Sequence, residues 1–204
     1  MHPNPIFRKT DQQAAFDFAV ARGFGQFVGV TDGAPVIAAA PFVAVDGELE
    51  AHLLRSNPLL RALPTDVTLI VSGPDSYVSP DWYEVEDQVP TWNYVAVHLR
   101  GPMRALEPQD LRAHLDRLSE RFEAELAPKP IWRTEKMTPE VLAKMMRMIV
   151  PVRLTVESID STFKLSQNKT DEVRLRAADQ MEKGAPGLDP RAVAAMMKAL
   201  KQSV

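Results

Sequence analysis

Apolar positions change their period several times along the chain, and the changes mark its elements. Thr10 and Gln13 form a capping box ahead of Phe16, Phe18 and Ala19, and Gly23 supplies a stop, so a first helix is expected between them. Phe24 to Val30 and Pro35 to Val43 then read as strands, joined by Asp32-Gly33, whose residue types suit the positive φ angles of a tight hairpin. Asp46-Gly47 repeats the device. In Glu48 to Leu54, Leu49, Ala51 and Leu53 alternate with Glu50 and His52, the pattern of a strand with one buried face, and Asn57-Pro58 breaks it ahead of a short helix. Val67 to Val71 is an apolar run closed by Gly73-Pro74, and after a long connection Tyr94 to Arg100 alternates up to Gly101-Pro102.

The second half opens helical. Pro108 fits a first turn, and Leu111, Leu115, Leu118, Phe122 and Leu126 fall on one face. Thr138-Pro139 starts another helix holding Val141, Leu142, Met145, Met146 and Ile149, with Pro151 as its end, and Val152 to Val156 reads as one more strand. From Asp171 two helices are expected, separated by Gly184 to Gly187, the second capped by Asp189 with Pro190 at its first position. Hairpin-linked strands in succession indicate a small antiparallel barrel or sandwich with helices added.

Composition narrows the function. The 204 residues are enough for one domain, or a domain with an appendage. Twenty-four basic against 27 acidic residues give a net charge of −3, without the electrostatic footprint of a nucleic-acid-coating protein. The tail from Asp171 is balanced too, with Arg174, Arg176, Lys183, Arg191, Lys198 and Lys201 facing five acidic residues. The absence of cysteine excludes disulfides, thiolate metal sites and a cysteine nucleophile. The longest stretch free of charge, Gly33 to Val45, is too short to span a bilayer, and Met1-His2-Pro3-Asn4-Pro5 lacks a signal-peptide pattern, so a cytoplasmic protein is expected.

Three groups of residues could carry chemistry. Tyr77, Trp82, Tyr83, Trp92 and Tyr94 crowd into eighteen positions interleaved with Pro74, Pro80 and Pro90, either as a rigid wall for a planar ring or as packing over a barrel end or dimer seam. His52-Leu53-Leu54-Arg55-Ser56-Asn57-Pro58 runs from a strand end into a helix start. There Arg55, Ser56 and free backbone N–H groups could hold a phosphate, or Arg55 could be solvated and Asn57 simply a cap. Lys164-Leu165-Ser166-Gln167-Asn168-Lys169 is a donor-rich loop that fits a second anion grip or a solvated turn. His2, His52, His98 and His114 lack zinc spacing, with His114 expected beside the buried stripe of its helix. No nucleophile elbow and no glycine-rich phosphate loop is present in the sequence.

These segments, taken in order, resemble the FMN-binding negative transcriptional regulators, the PaiB-like proteins. The resemblance is carried by Pro41-Phe42, His52 to Pro58, Gly73 to Tyr83 with its Ser-Pro-Asp-Trp-Tyr string, Val89-Pro-Thr-Trp-Asn-Tyr94, Trp132 and Lys164-Leu-Ser-Gln-Asn168. It implies an α+β, mainly antiparallel fold: an FMN-binding split β-barrel over residues 1–170 with peripheral helices. Residues 171–204 would form a helical extension packed on the barrel or on a dimer partner. It also implies a homodimer holding FMN, with the phosphate falling to Arg55 and Ser56 and with Lys164, Ser166 and Gln167 as the second candidates. Trp92 or Tyr94 would flank the flavin ring, and His52, Asn57 and Asn93 are further cofactor-binding candidates. The functions that follow are flavin redox chemistry or sensing, with an FMN-dependent oxidoreductase among them. The alternatives are the family's namesake role as a repressor acting on DNA, and a flavin-free relative that binds another planar ligand. The chain departs from many relatives at His2 and at Ala38-Ala39-Ala40, where they carry tyrosine and, close by, histidine.

Overall fold

A computed structural model of the chain describes residues 1–200; the helical expectation for residues 201–204, and Lys201 with it, lies outside them. The main helices are α1 (Gln12–Arg22), α2 (Asp110–Glu123), α3 (Pro139–Met146), α4 (Asp171–Lys183) and α5 (Pro190–Ala199). The strands are β1 (Phe24–Thr31), β2 (Ala34–Val45), β3 (Glu48–Leu54), β4 (Thr65–Val78), β5 (Thr91–Ala105), β6 (Ile149–Leu154) and β7 (Ser158–Lys164). They form one sheet in the order β4-β1-β2-β3-β6-β5-β7, and a further pairing of β4 with β5 closes six of them into a ring. This is the expected α+β, mainly antiparallel split barrel.

By compactness the chain divides into two units, with β4 and β5 contributing to both. One comprises Phe16–Val71 and His98–Ile159. Its core holds Phe27, Phe42, Leu49, Leu59, Leu69, Leu99, Met103 and Leu154. The rings of Phe27 and Phe42 meet edge to face at 6.4 Å. Antiparallel registers run Phe24 opposite Pro41, Phe42 opposite Ala51 and Leu49 opposite Leu154. The two hairpins form at the expected turns, with Asp32, Gly33, Asp46 and Gly47 all at positive φ. The other unit comprises Met1–Ala15, Ser72–Val97 and the chain from Asp160. Here Val78, Tyr83, Val95 and Leu165 are buried, as are Met181 of α4 and Val193 and Met197 of α5.

Several boundaries differ from the sequence reading, each for a physical reason. Helix α1 is capped by Asp11 rather than by a Thr10–Gln13 box, because the Asp11 carboxylate accepts from the N–H groups of Gln13 and Ala14. Strand β4 does not stop at Gly73-Pro74. It runs on to Val78, with the buried positions changing phase from Val67, Leu69, Val71 and Gly73 to Ser76 and Val78, a slip that accommodates a proline inside a strand. Helix α3 ends at Met146, and Ile149 to Pro151 belong to β6, the pairing partner of β3. Strand β7, which carries Lys164 into place, was not expected.

Gly101-Pro102 likewise lies inside β5 and does not end it. The backbone of residues 155–157 passes alongside, with Thr155 N–H donating to Pro102 O and Glu157 N–H to Arg100 O. A Cβ on Gly101 would stand 2.0 Å from the Thr155 carbonyl oxygen. Gly101→Ala is therefore expected to destabilise the fold by about 1–3 kcal/mol, read as a lower urea midpoint, because backbone must move to admit the methyl group.

Candidate functional site

The sequence-predicted residues fall into two groups, one in each unit. In the unit containing the C-terminal helices, β7 ends at Lys164 and the chain turns sharply through Ser166, a residue at φ +59°. Gln167 braces this turn, accepting from Leu165 N–H and donating to the Phe163 carbonyl, so its side chain shapes the loop. The turn buries the Ser166 hydroxyl 2.9 Å from Tyr83 Oη, where it accepts from Asn93 Nδ2 at 2.9 Å. Asn93 Nδ2 also lies 3.3 Å from Met197 Sδ, while its Oδ1 is buried without a hydrogen-bond partner. Burial raises the Tyr83 phenol above its ordinary pKa, a shift opposed by the hydrogen bond to Ser166.

Two lysines complete this group. Lys164 donates to Thr91 Oγ1 and lies 5.9 Å over the Phe7 ring, and burial lowers its pKa. Lys169 donates to Gln88 Oε1 and lies 5.1 Å over the Tyr83 ring. Lys164, Lys169, Ser166, Asn93, Tyr83 and Asp87 all line one cavity of about 210 Å³. Two ammonium groups thus face one carboxylate, and no carboxylate is paired with either lysine among the described residues. Such a donor set suits an anion.

Trp92 and Tyr94 do not share this wall. Strand alternation buries Asn93 and turns Trp92 and Tyr94 to the opposite face, where Trp92 is 46% exposed. Trp92 and Trp82 each meet the Tyr77 ring edge to face, at 6.2 and 6.5 Å. The short 3-10 turn Pro80–Tyr83, capped by Ser79, holds this aromatic cluster and is packed against α4. Arg176 of α4 clamps it through the Tyr83 carbonyl, at 2.8 and 3.1 Å. Residues 186–188 are bound to the same region, with Tyr77 N–H donating to Pro186 O and Leu188 N–H to Asp75 Oδ1.

In the other unit, β3 delivers His52, Arg55, Ser56 and Asn57. Asn57 is a cap, its Oδ1 accepting from Leu59 N–H at the start of the 3-10 turn Pro58–Arg61. Arg55 donates through Nε to Arg147 O at 2.7 Å and through a terminal nitrogen to Ile149 O at 3.2 Å, latching the end of α3. Ser56 is exposed. His52 Nδ1 lies 3.0 Å from His114 Nε2.

Behind this pair is a cluster that the sequence reading missed. Glu50 is fully buried, facing His114 Nδ1 at 3.4 Å and accepting from Arg117 at 2.5 Å and from Arg153. Burial would raise its carboxyl, but the hydrogen bonds and charges of Arg117 and Arg153 outweigh that and hold it below the usual range. His114 is pushed down to about 4, first by burial and then by His52, against the pull of Glu50. Residues 50, 114, 117 and 153 are far apart in sequence. The one local sign of the cluster is Glu50 in the middle of β3, and the alternation there gives it the same pattern as a solvated residue.

Comparison with known proteins agrees with the fold. The chain is similar in structure to the FAD and heme binding protein of Mycobacterium smegmatis, with a TM-score of 0.57 and 21% identity over 78% of this chain and 73% of that one. It is also similar to the flavocytochrome Anf3 of Azotobacter vinelandii, with a TM-score of 0.55 and 17% identity over 80% and 72%. The architecture is that of flavin-binding split-barrel proteins. Residues 1–158 match the family described as "Putative FMN-binding domain", and the chain belongs to that family. The protease synthase and sporulation protein PAI 2 of Bacillus subtilis is 30% identical over 188 residues, 89% of each chain.

Proposed function

We propose that this protein is a homodimeric FMN-binding split-barrel protein that uses the flavin for electron transfer or redox sensing. The observation that carries the reading is the cavity around Lys164, Lys169, Ser166 and Asn93. It combines two ammonium groups, a conformationally fixed hydroxyl and an amide oxygen left without a partner. These residues suit the phosphate end of FMN, with charge-assisted donors to the anion and Gln167 keeping the loop in shape. Asn93 presents an unused acceptor to a donor on the cofactor. The aromatic face bearing Trp92 and Tyr94 extends the proposed cofactor-binding set in this unit, and Arg55, Ser56 and Asn57 are a second candidate phosphate contact in the other. When bound, the flavin supplies hydride and single-electron chemistry, and the chain supplies position and charge. Residues 171–204 are, in the same proposal, an extension that supports this site. Arg176 and Met197 reach it from α4 and α5, the latter through Asn93.

Absorbance and mass in solution, measured with and without FMN, test the reading: flavin bands bound to a dimer are expected, and a colourless chain that ignores FMN overturns it. Lys164→Ala is expected to weaken FMN about 10- to 100-fold by titration, the loss of one charge-assisted phosphate contact. Arg55→Ala is expected to weaken it as well, and unchanged affinity would take Arg55 out of the site. A repressor role, which the sequence resemblance implies, is the second reading, and the Bacillus relative named for protease synthase and sporulation is the similarity that favours it. A salt-dependent mobility shift of promoter DNA tests it.

A further inference from the structure

A second cavity, of about 340 Å³, lies in the unit containing α2 and α3. Its lining is apolar and rich in methionine: Met137, Met145, Met146 and Met148 surround it together with Trp132 and Leu142. Four of the chain's nine methionines therefore serve one hollow, with Met145 and Met148 more than half exposed. Methionine side chains adapt to the shape of a guest and make favourable sulfur–aromatic contacts, and an indole ring offers a flat partner for stacking. The polar groups on the wall are His52, Ser119 and Thr134, and the Thr134 hydroxyl already donates to Asp116 Oδ1 at 2.7 Å. His52 is the one ionisable residue of the lining.

The protonation of His52 follows from the groups behind it. The ionised Glu50 carboxylate lies 3.4 Å from His114 Nδ1, a buried nitrogen with no hydrogen-bond partner, and its negative charge favours the tautomer that carries the proton on that nitrogen. His114 Nε2 is then a lone pair. The 3.0 Å contact to His52 Nδ1 requires His52 to be the donor, and a neutral His52 is left with a bare lone pair on Nε2. A carboxylate and a histidine thus orient a second histidine, whose remaining nitrogen is an acceptor in a mainly apolar wall whose other polar groups are the hydroxyls of Ser119 and Thr134.

We propose that this cavity binds a small aromatic molecule bearing one hydrogen-bond donor, a phenol or an indole, whose O–H or N–H is accepted by His52 Nε2. The site is separate from the lysine-lined cavity and does not depend on flavin binding there. An acceptor in apolar surroundings discriminates by hydrogen bonding, because a guest without the donor leaves it desolvated and unpaired. Indole should therefore bind at least about 10-fold more tightly than 1-methylindole, and 4-ethylphenol more tightly than 4-ethylanisole.

The test is calorimetric titration of the full chain with these four probes, together with methyl NMR of protein labelled at methionine. The expected result is the stated preference for the donor-bearing member of each pair, with probe-induced shifts concentrated at Met137, Met145, Met146 and Met148. His52→Phe should abolish the preference while apolar binding persists. Wild-type methyl shifts decide the location even if that variant does not fold. Equal affinities within each pair would overturn the role of His52, and no binding up to the solubility limit would overturn the site. Displacement of indole by FMN would show the cavity to be part of the flavin site and end the claim of a separate one. Lys164→Ala should weaken FMN and leave indole affinity unchanged, so failure of the flavin reading and failure of this one are told apart.

Discussion

Acidification from pH 6.5 to about 4 is expected to cost the folded chain about 3 kcal/mol through a single residue, His114. Burial keeps its ring neutral in the fold down to about 4, reinforced by neighbouring His52 and Arg117 and only partly offset by Glu50. In the unfolded chain the same ring takes up a proton near 6.5. Between those values the unfolded state binds more protons than the folded one, so stability falls by about 1.4 kcal/mol for each pH unit lost. Above pH 6.5 the ring is neutral in both states and contributes no slope. His52, also held down by burial, adds in the same direction. Glu50, held below 4.5 in the fold, adds its own loss as the pH drops past 4.5. Urea unfolding at a series of pH values checks this: His114→Gln, which keeps a hydrogen-bonding group without the titration, should remove most of the slope between pH 4.5 and 6.5. A wild-type profile flat across that range would sink the argument.

His114 also shows what the sequence could and could not reveal. The helical stripe of Leu111, Leu115, Leu118 and Phe122 placed it correctly beside the buried face of α2. What that face covers was not legible. The alternation in β3 suggested one buried face, with Glu50 and His52 on the solvent side. In the structure Leu49, Glu50 and Ala51 are all buried, and the face carrying Glu50 is closed off by Arg117 and His114 of α2. A period-two pattern reports the polarity of each face, and an internally paired charge looks the same in it as a solvated one. Similarly, Gly73-Pro74 and Gly101-Pro102 looked like strand ends because local residue preference cannot register a phase slip or a neighbouring backbone. The Lys164-to-Lys169 loop was legible as donor-rich, yet its partners Thr91, Gln88 and Tyr83 come from another stretch of the chain. Asn57 and Arg55 were each open to two readings. The structure gives Asn57 its capping role and spends two Arg55 donors on the carbonyls of residues 147 and 149.

The largest single loss of stability is expected from removing the cations around Glu50. In Arg117→Met/Arg153→Met the carboxylate would remain fully buried with only His114 before it, and the expected cost at pH 7 is about 3–5 kcal/mol. The asymmetry of the cluster explains why the arginines and not the glutamate are the damaging targets. The Arg117 side chain is 39% exposed and that of Arg153 26%, so either can turn toward water if Glu50 is lost, whereas Glu50 cannot. Glu50→Gln alone should therefore cost less than the double variant, and adding it to the double variant should restore much of the loss. The pH dependence should also change sign. With the arginines gone, burial dominates and raises the Glu50 pKa above its unfolded value. The variant then takes up a proton on folding, and the gap between it and the wild type narrows as the pH falls toward 5. Urea unfolding of all four proteins at pH 7 and pH 5 measures both effects. A double variant within 1 kcal/mol of the wild type at pH 7 would falsify the claim that Glu50 depends on these two cations.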